Sequence, residues 1–454
     1  MSKKTFLVLV LSTLLVAPIC AKVTKEYQRP SLHLVLLTTS ESSAENTAQI
    51  TDPEILGYLS DSWINYEFPT LYNNFAIPFS KTDVSSVKGS IMDLLAMYNS
   101  PESLNGLTIT DLKDIVDQLG GQKYREALKE EVDKLSNEVA HQLVKKWWGI
   151  SEDGSIDNTL LFELACYSAT QNQINNASET ALGAQQTLFN ELADATMSNT
   201  YVDFTKVDFY ENEPIAAFIK NIMMLVASQT PAPANVGVTL AAEKAYEASK
   251  EGYTAFTNNL LYKLEWNDSI ANEFYKIWTD ANHLDMEKFN NMKFNLVYVG
   301  NTKASATCMM KKEDKGKDAQ QMVEKTVAKA LNRQFADMQR KFENFRPMVP
   351  VLGLDAKGGI IADMGTKEGV KVGDTFNLLE PITNEKGVTK YKYIATVKVV
   401  KWNQGEDFKD GVWNNEDLKQ AEAADTEGTS LEVIGTHLSK FKGASPSMFV
   451  KMTK

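Results

Sequence analysis

The chain has 454 residues, 43% apolar and 23% charged, with 59 acidic against 47 basic side chains and a formal charge of −12. That mixture is the composition of a folded globular protein, long enough for about two or three domains. The acidic excess argues against nonspecific binding to nucleic acid and against electrostatic docking on an anionic membrane, both of which need basic surface.

The opening residues read as an export signal. Lys3 and Lys4 form a basic start, Phe6 to Val16 an apolar stretch broken only by Ser12 and Thr13, and Pro18 leads into Cys20 and Ala21. This is the layout of a secretory signal peptide, residues 1–21, cut after Ala21, and the apolar stretch is too short to span a bilayer. A lipid anchor on Cys20 is the alternative, although Ile19 stands where that pattern wants a small residue. Cleavage leaves 433 residues with a charge of −14 and two cysteines, Cys166 and Cys308. Export permits a disulfide between them, and a buried free thiol is the competing reading. The expected location is the periplasm or an outer-membrane-associated position, with no membrane span after leader cleavage.

Leu32 to Leu37 predicts a strand, Ser40 to Ala48 a loop, and Ser90 to Met97 a short helical piece. Thr110 caps a helix that ends at Gly120-Gly121. From Lys123 to Trp148, Leu128, Val132, Leu135, Val139, Leu143 and Trp147 recur at helical spacing, and Gly149 stops the helix. Ser178 to Ala195 is a further helix. Tyr201 to Tyr210 switches to a strand period, with a slip between Val202/Phe204 and Val207/Phe209 that predicts a bulge or bend.

Glu213-Pro214 opens a helix over 215–228. The segment TPAPANVG, 230–237, reads as a surface loop or hinge and a candidate internal boundary. Leu240 to Lys250 predicts a helix, Tyr253 to Glu265 a strand, Ile270 to Trp278 a helix, and Met292 to Val299 a strand. The strongest helical stripe is Val323, Val327, Leu331, Phe335, Met338, Phe342 and Phe345, ended by Arg346-Pro347. Beyond Pro350, short β-like pieces at 349–354, 359–363, 374–380, 390–400 and 429–435 alternate with glycine turns, and 405–428 reads as an acidic insertion. Short strands without a long helix predict a small barrel. The expected fold class is therefore α+β: a large mixed helix/sheet domain over 22–345, followed by a small all-β SH3-like barrel over 347–454.

Chemistry-bearing patterns are sparse. His33, His141, His283 and His437 stand alone, without HExxH or Cys-His spacing, so no metal site is expected. A P-loop, a dinucleotide glycine fingerprint and a GxSxG elbow are absent, so no cofactor is expected. Cys166 has no identifiable base and reads as a core thiol. Paired carboxylates carry no local motif. Asp203, Asp208, Glu211 and Glu213 cluster on one strand end, and Glu265, Asp268 and Glu273 surround Trp266, as they would in a sugar groove. A strand edge and a helix start that accept acids explain both sets more simply. Asn403 to Asp407, Asp410 and Glu416 hold calcium-type oxygens at spacing that does not match an EF-hand, so a solvated acidic loop is the better reading.

The stretch Val351 to Asp355, Gly359 to Gly365 and Gly369 to Phe376 resembles the small C-terminal SH3-like module of exported envelope assembly proteins, notably the flagellar assembly protein T. Lys145 to Trp148, Tyr167 to Thr170, Asn199 to Val202, Tyr262 to Asn267 and Tyr298 to Thr302 resemble a family of exported Bacteroidota proteins of unknown function. Neither resemblance carries catalytic residues, so no catalytic, cofactor-binding or metal-ligating residue is assigned. The expected function is a non-enzymatic cell-envelope protein engaged in protein–protein interaction or assembly, with an envelope protein as partner. Trp402 and Trp413, flanking the acidic insertion, are candidates for contacting a partner or a glycan. The alternative is a carbohydrate- or cell-wall-active hydrolase using two acids.

Overall fold

The apolar run at 32–37 becomes strand β1 (Ser31–Thr38), and its continuous apolar character has a direct cause. It lies between parallel neighbours and is buried on both faces, Leu32, Leu34 and Leu36 in one core and Val35 and Leu37 in another. The computed structural model describes residues 30–38, 53–64, 66, 80–83, 122–161, 182–310, 319–366, 368–383, 389–401, 408–409, 412–414 and 435–453. Helix α1 (Pro53–Ile64) and strand β2 (Ser80–Asp83) follow. Then comes the long helix α2 (Gln122–Trp147). It stops where expected: Ile150 N–H bonds the Lys145 carbonyl and Gly149 N–H that of Lys146, a double closure of the last turn.

Helix α3 (Leu182–Ser198) leads into strand β3 (Thr200–Glu211). The bulge expected there does not form: β3 pairs with its antiparallel neighbour without a break from Tyr201↔Lys263 to Glu211↔Tyr253. The strand is buried on both faces, so Asp203 and Thr205 continue one inward row while Lys206 and Asp208 continue the other. The apparent slip came from polar residues lying in the core.

Helices α4 (Asn212–Gln229) and α5 (Ala234–Ser249) form a packed hairpin. Of the segment expected to be a loop or hinge, 230–233 forms the turn between them and 234–237 opens α5. The chain returns in strand β4 (Gly252–Leu264). Asn267 then caps helix α6 (Asp268–Lys276), its side chain accepting from Ser269 and Ile270 N–H. Strands β5 (Trp278–Asp280) and β6 (His283–Leu284) and helix α7 (Met286–Asn291) precede strand β7 (Leu296–Met309). β7 starts later and runs ten residues past the expected end at Val299, because Gly300 and the polar run after it hide the alternation. The bulge expected in β3 lies here instead, between Leu261 and Tyr262, opposite Val299 and Gly300.

The first sheet has the order β2-β1-β3-β4-β7, parallel at β1 and antiparallel beyond β3. One face carries an aromatic core built from α2, α3, α6 and α7, in which the Trp148 ring lies 5.2 Å from Phe274 and 5.4 Å from Trp278. The other face is covered by α1 and helix α8 (Ala319–Lys341), whose Val323, Val327, Leu331, Phe335 and Met338 form the predicted stripe. α8 ends at Lys341, and a 3-10 turn, Glu343–Phe345, buries Phe345 against Tyr201.

The C-terminal region contains strands β8 (Met348–Leu354), β9 (Ile360–Ala362), β10 (Thr375–Thr383) and β11 (Thr389–Lys398). They are followed by the small pair β12 (Phe408–Lys409) and β13 (Val412–Trp413), and by β14 (Thr436–Leu438) and β15 (Phe449–Met452). Within the expected insertion, β12 and β13 pair as a hairpin. The strand expected at 429–435 lies, but for Gly435, outside the described residues, and β14 at 436–438 and β15 were not anticipated. The SH3-like barrel is not formed. The sheet runs β11-β10-β15-β8-β9-β14 and does not close into a barrel; among the described residues its ends meet at the isolated bridge Val399↔Leu438. Closure needs a ladder between the end strands, and β14 has three residues. The molecule is thus a mixed α/β fold with a C-terminal β-rich region. The expected helices at 90–97 and 110–119, and Cys166, lie outside the described residues. Cys308 is a buried free thiol.

The two sheets are joined at α8. Arg340 contacts the Gly369 carbonyl and pairs with Asp374 at 2.5 Å. Gly369, at φ +69°, lies so close to α8 that a Cβ would sit 2.6 Å from that of Ala336, whereas Gly358, at φ +79°, faces open space. Gly369→Ala should therefore combine backbone strain with a clash and cost about 2–3 kcal/mol, against about 1 kcal/mol for Gly358→Ala. Urea midpoints of the two variants measure the difference, and equal losses would contradict the close approach at α8.

Candidate functional site

A cleft of about 890 Å³ opens where α8, the β4–β7 edge and the C-terminal region meet. α8 contributes Lys329, Arg333, Asp337 and Arg340, spaced so that they share one helix face opposite the buried stripe. β7 contributes Lys303, Ala304 and Ser305, and the loop before β10 contributes Lys371 and Val372. Asp208, Tyr124, Tyr210 and Phe256 line it from the α2 side of the sheet. The lining carries five basic side chains against two acidic ones, in a chain whose net charge is −12.

These charges are not equally available. Asp208 is committed to the buried Lys206, whose Nζ lies 3.0 Å from its Oδ1, and Tyr124 OH reaches its other oxygen at 3.4 Å. Arg340 is held by Asp374 and Gly369, and Arg333 donates to the Ser305 carbonyl at 2.5 Å. Lys303, Lys329 and Lys371 form no salt bridge among the described residues. Partial desolvation raises the Asp337 acid above the usual carboxylate range, against the pull of Lys371, Arg340 and Arg333.

Beneath α8 lies a polar network. Gln334 Nε2 donates to Asp203 Oδ2 at 2.7 Å and to Thr205 Oγ1 at 2.6 Å, and Thr302 Oγ1 donates to Asn259 Oδ1 at 2.6 Å. Complete burial pushes the Asp203 acid up to about 7, held back in part by the Gln334, Asn259 and Thr205 side chains. Asp203 Oδ1 and Gln334 Oε1 have no hydrogen-bond partner among the described residues, and neither has the Asn259 Nδ2 donor of the same network.

The carboxylates singled out in the sequence do not converge. Asp203 faces α8 and Asp208 the opposite side of β3, while Glu211 and Glu213 are exposed, the latter accepting from Tyr246 at 2.9 Å. Trp266 is buried and its Nε1 donates to Asp194 at 2.8 Å, as does Tyr275 OH at 3.0 Å, so no sugar groove surrounds it. Burial raises the Asp194 acid, with the two donors opposing. Glu265 accepts from Asn295 at 3.0 Å, and Asp268 and Glu273 are exposed on α6. Trp413 is buried in β13, and Trp402 and the calcium-type oxygens at 403–407, 410 and 416 lie outside the described residues. Among the described residues no group of His, Cys, Asp and Glu is arranged to hold a metal ion, and no helix is long and apolar enough to cross a membrane. His437 is buried beside Asp355 at 3.3 Å, in a turn that Asp355 also ties through Lys357 and Gly359 N–H.

The basic face of α8 was missed in the sequence, where the apolar stripe dominates the helical pattern. Lys329, Arg333 and Arg340, at steps of four and seven residues, were a legible signal. Comparison with protein-family models and with curated proteins gave no match.

Because Asp203 binds its proton more tightly folded than unfolded, its contribution to stability is full below about pH 4 and is lost as pH rises to about 7. Asp203→Asn, neutral throughout, should remove that decline, so the variant gains on the parent between pH 4 and 7. Urea midpoints across this range report it, and parallel profiles would contradict an ionisable, buried Asp203.

Proposed function

We propose that the chain is a non-enzymatic, exported protein of the cell envelope whose cleft between α8, β7 and the C-terminal region binds an acidic protein partner. The observation that carries this reading is the concentration of Lys303, Lys329, Arg333, Arg340 and Lys371 around one cavity of an otherwise acidic chain. Three of those cations make no salt bridge among the described residues, so a ligand carboxylate meets them without first breaking an internal pair. The export signal read at residues 1–21 and the resemblance to exported proteins support the location. The hydrolase alternative lacks a pair of unengaged acids among the described residues of this cleft: of its two acids, Asp208 is paired with Lys206 and Asp337 stands among Lys371, Arg340 and Arg333, while Asp203 is sealed under α8.

Fluorescence titration with labelled poly-L-glutamate tests the reading. The parent protein should bind, and the double variant Lys329→Glu/Lys371→Glu should bind about tenfold or more weakly, since each reversal replaces attraction with repulsion. Equal binding by parent and variant would remove the cleft as the site.

A further inference from the structure

We infer that the outer edge of β7 is completed by an extended, acid-rich segment of the partner, which adds as a further strand and takes Arg333 onto one of its carboxylates. This rests on the cleft being the site for an acidic partner and specifies how that partner is held.

Among the described residues β7 is the last strand of its sheet, and its register with β4 fixes which backbone groups are used. Met310 N–H bonds the Glu251 carbonyl, so the even-numbered residues from 302 to 308 exchange hydrogen bonds with β4 and the odd-numbered ones turn outward. Two contacts agree with this assignment: the outward carbonyls of Ser305 and Asn301 accept from Arg333 and Lys341 of α8. The outward N–H groups of Lys303 and Ser305 donate to no described residue. An open strand edge of this kind is a template for another strand.

Cations decide which strand. Two copies of this edge brought together would face Lys303 and Arg333 against their own likenesses, so self-pairing is opposed. An acid-bearing strand reverses the sign. Its N–H replaces Arg333 on the Ser305 carbonyl, and the released guanidinium exchanges a neutral acceptor for a carboxylate, the stronger bond. Alternate residues of an extended strand share one face and repeat about every 7 Å, so carboxylates two residues apart can reach Arg333 and Lys329 together, with Lys371 across the cleft.

The test uses the full chain and a labelled ten-residue peptide with glutamate at alternate positions and threonine or valine between. A second peptide of the same sequence is N-methylated at alternate amides, which preserves charge and removes strand pairing. Ser305→Pro removes an outward donor while leaving every cation and the β4 ladder in place. The expected result is binding of the plain peptide, at least tenfold weaker binding of the methylated one, and a similar loss for Ser305→Pro with an unchanged thermal midpoint. Equal affinity for both peptides overturns strand addition, whatever the proline variant does. If polyglutamate still binds and still depends on Lys329 and Lys371, the acidic-partner reading survives that failure. If polyglutamate does not bind, both fall.

Discussion

Burial of β3 on both faces is the constraint from which the rest of the molecule follows. Any ionisable side chain on that strand must be neutralised where it stands, because removing a charge from water without a partner costs several kcal/mol. Lys206 and Asp208 solve this on the α2 side by pairing with each other. Asp203 has no cation and is instead held by Gln334, with a proton affinity raised accordingly. A strand that tolerates such residues must be tightly covered, and α8 provides that cover on the Asp203 side.

α8 consequently has more than one task. Its stripe from Val323 to Met338 packs on the sheet, Gln334 reaches down to Asp203, and Arg340 reaches across to Asp374. The residues left over, Lys329, Arg333 and Asp337, line the cleft. The same helix thus joins the sheet, the C-terminal region and the candidate binding site, and its position is fixed by its packing on the sheet and its ties to the C-terminal region. Gly369 tightens this arrangement, since only a residue without a side chain lets the turn approach Ala336 so closely.

What could be read from the amino-acid sequence follows from how each element is buried. Helices α2 and α8 were legible because one face is apolar and the other is not. β1 was legible because an unbroken apolar run has few alternatives at that length. β3 misled because its inward rows contain Asp203, Thr205, Lys206 and Asp208, which imitate a change of face. β7 was cut short because Gly300 and the polar residues after it break the alternation, although its pairing with β4 continues to Met309. The C-terminal strands were mostly placed, but closure is a property of the ends. Whether β11 and β14 form a ladder depends on a tertiary register that no local pattern encodes. Of the candidate site, Asp203 and Asp208 were noted as a carboxylate cluster that the fold places on opposite faces of β3, while the basic face of α8 was visible in spacing and unread.

The contrast between an acidic chain and a basic cleft bears on selectivity. At physiological ionic strength the field of the distant surface acids fades over roughly 8 Å, so it scarcely reaches into contacts made inside the cleft. Partly desolvated cations such as Arg340 are screened much less. An acidic segment is therefore weakly repelled by most of the molecule and attracted in one place, which discourages nonspecific contacts without weakening the intended one. Asp337 fits that scheme: it sits among Arg333, Arg340 and Lys371, lowering their mutual repulsion in the absence of a ligand. Desolvation raises its acid while Lys371, Arg340 and Arg333 pull the other way. On the proposed reading, the cations that deter self-pairing along β7 are also the ones that select the partner.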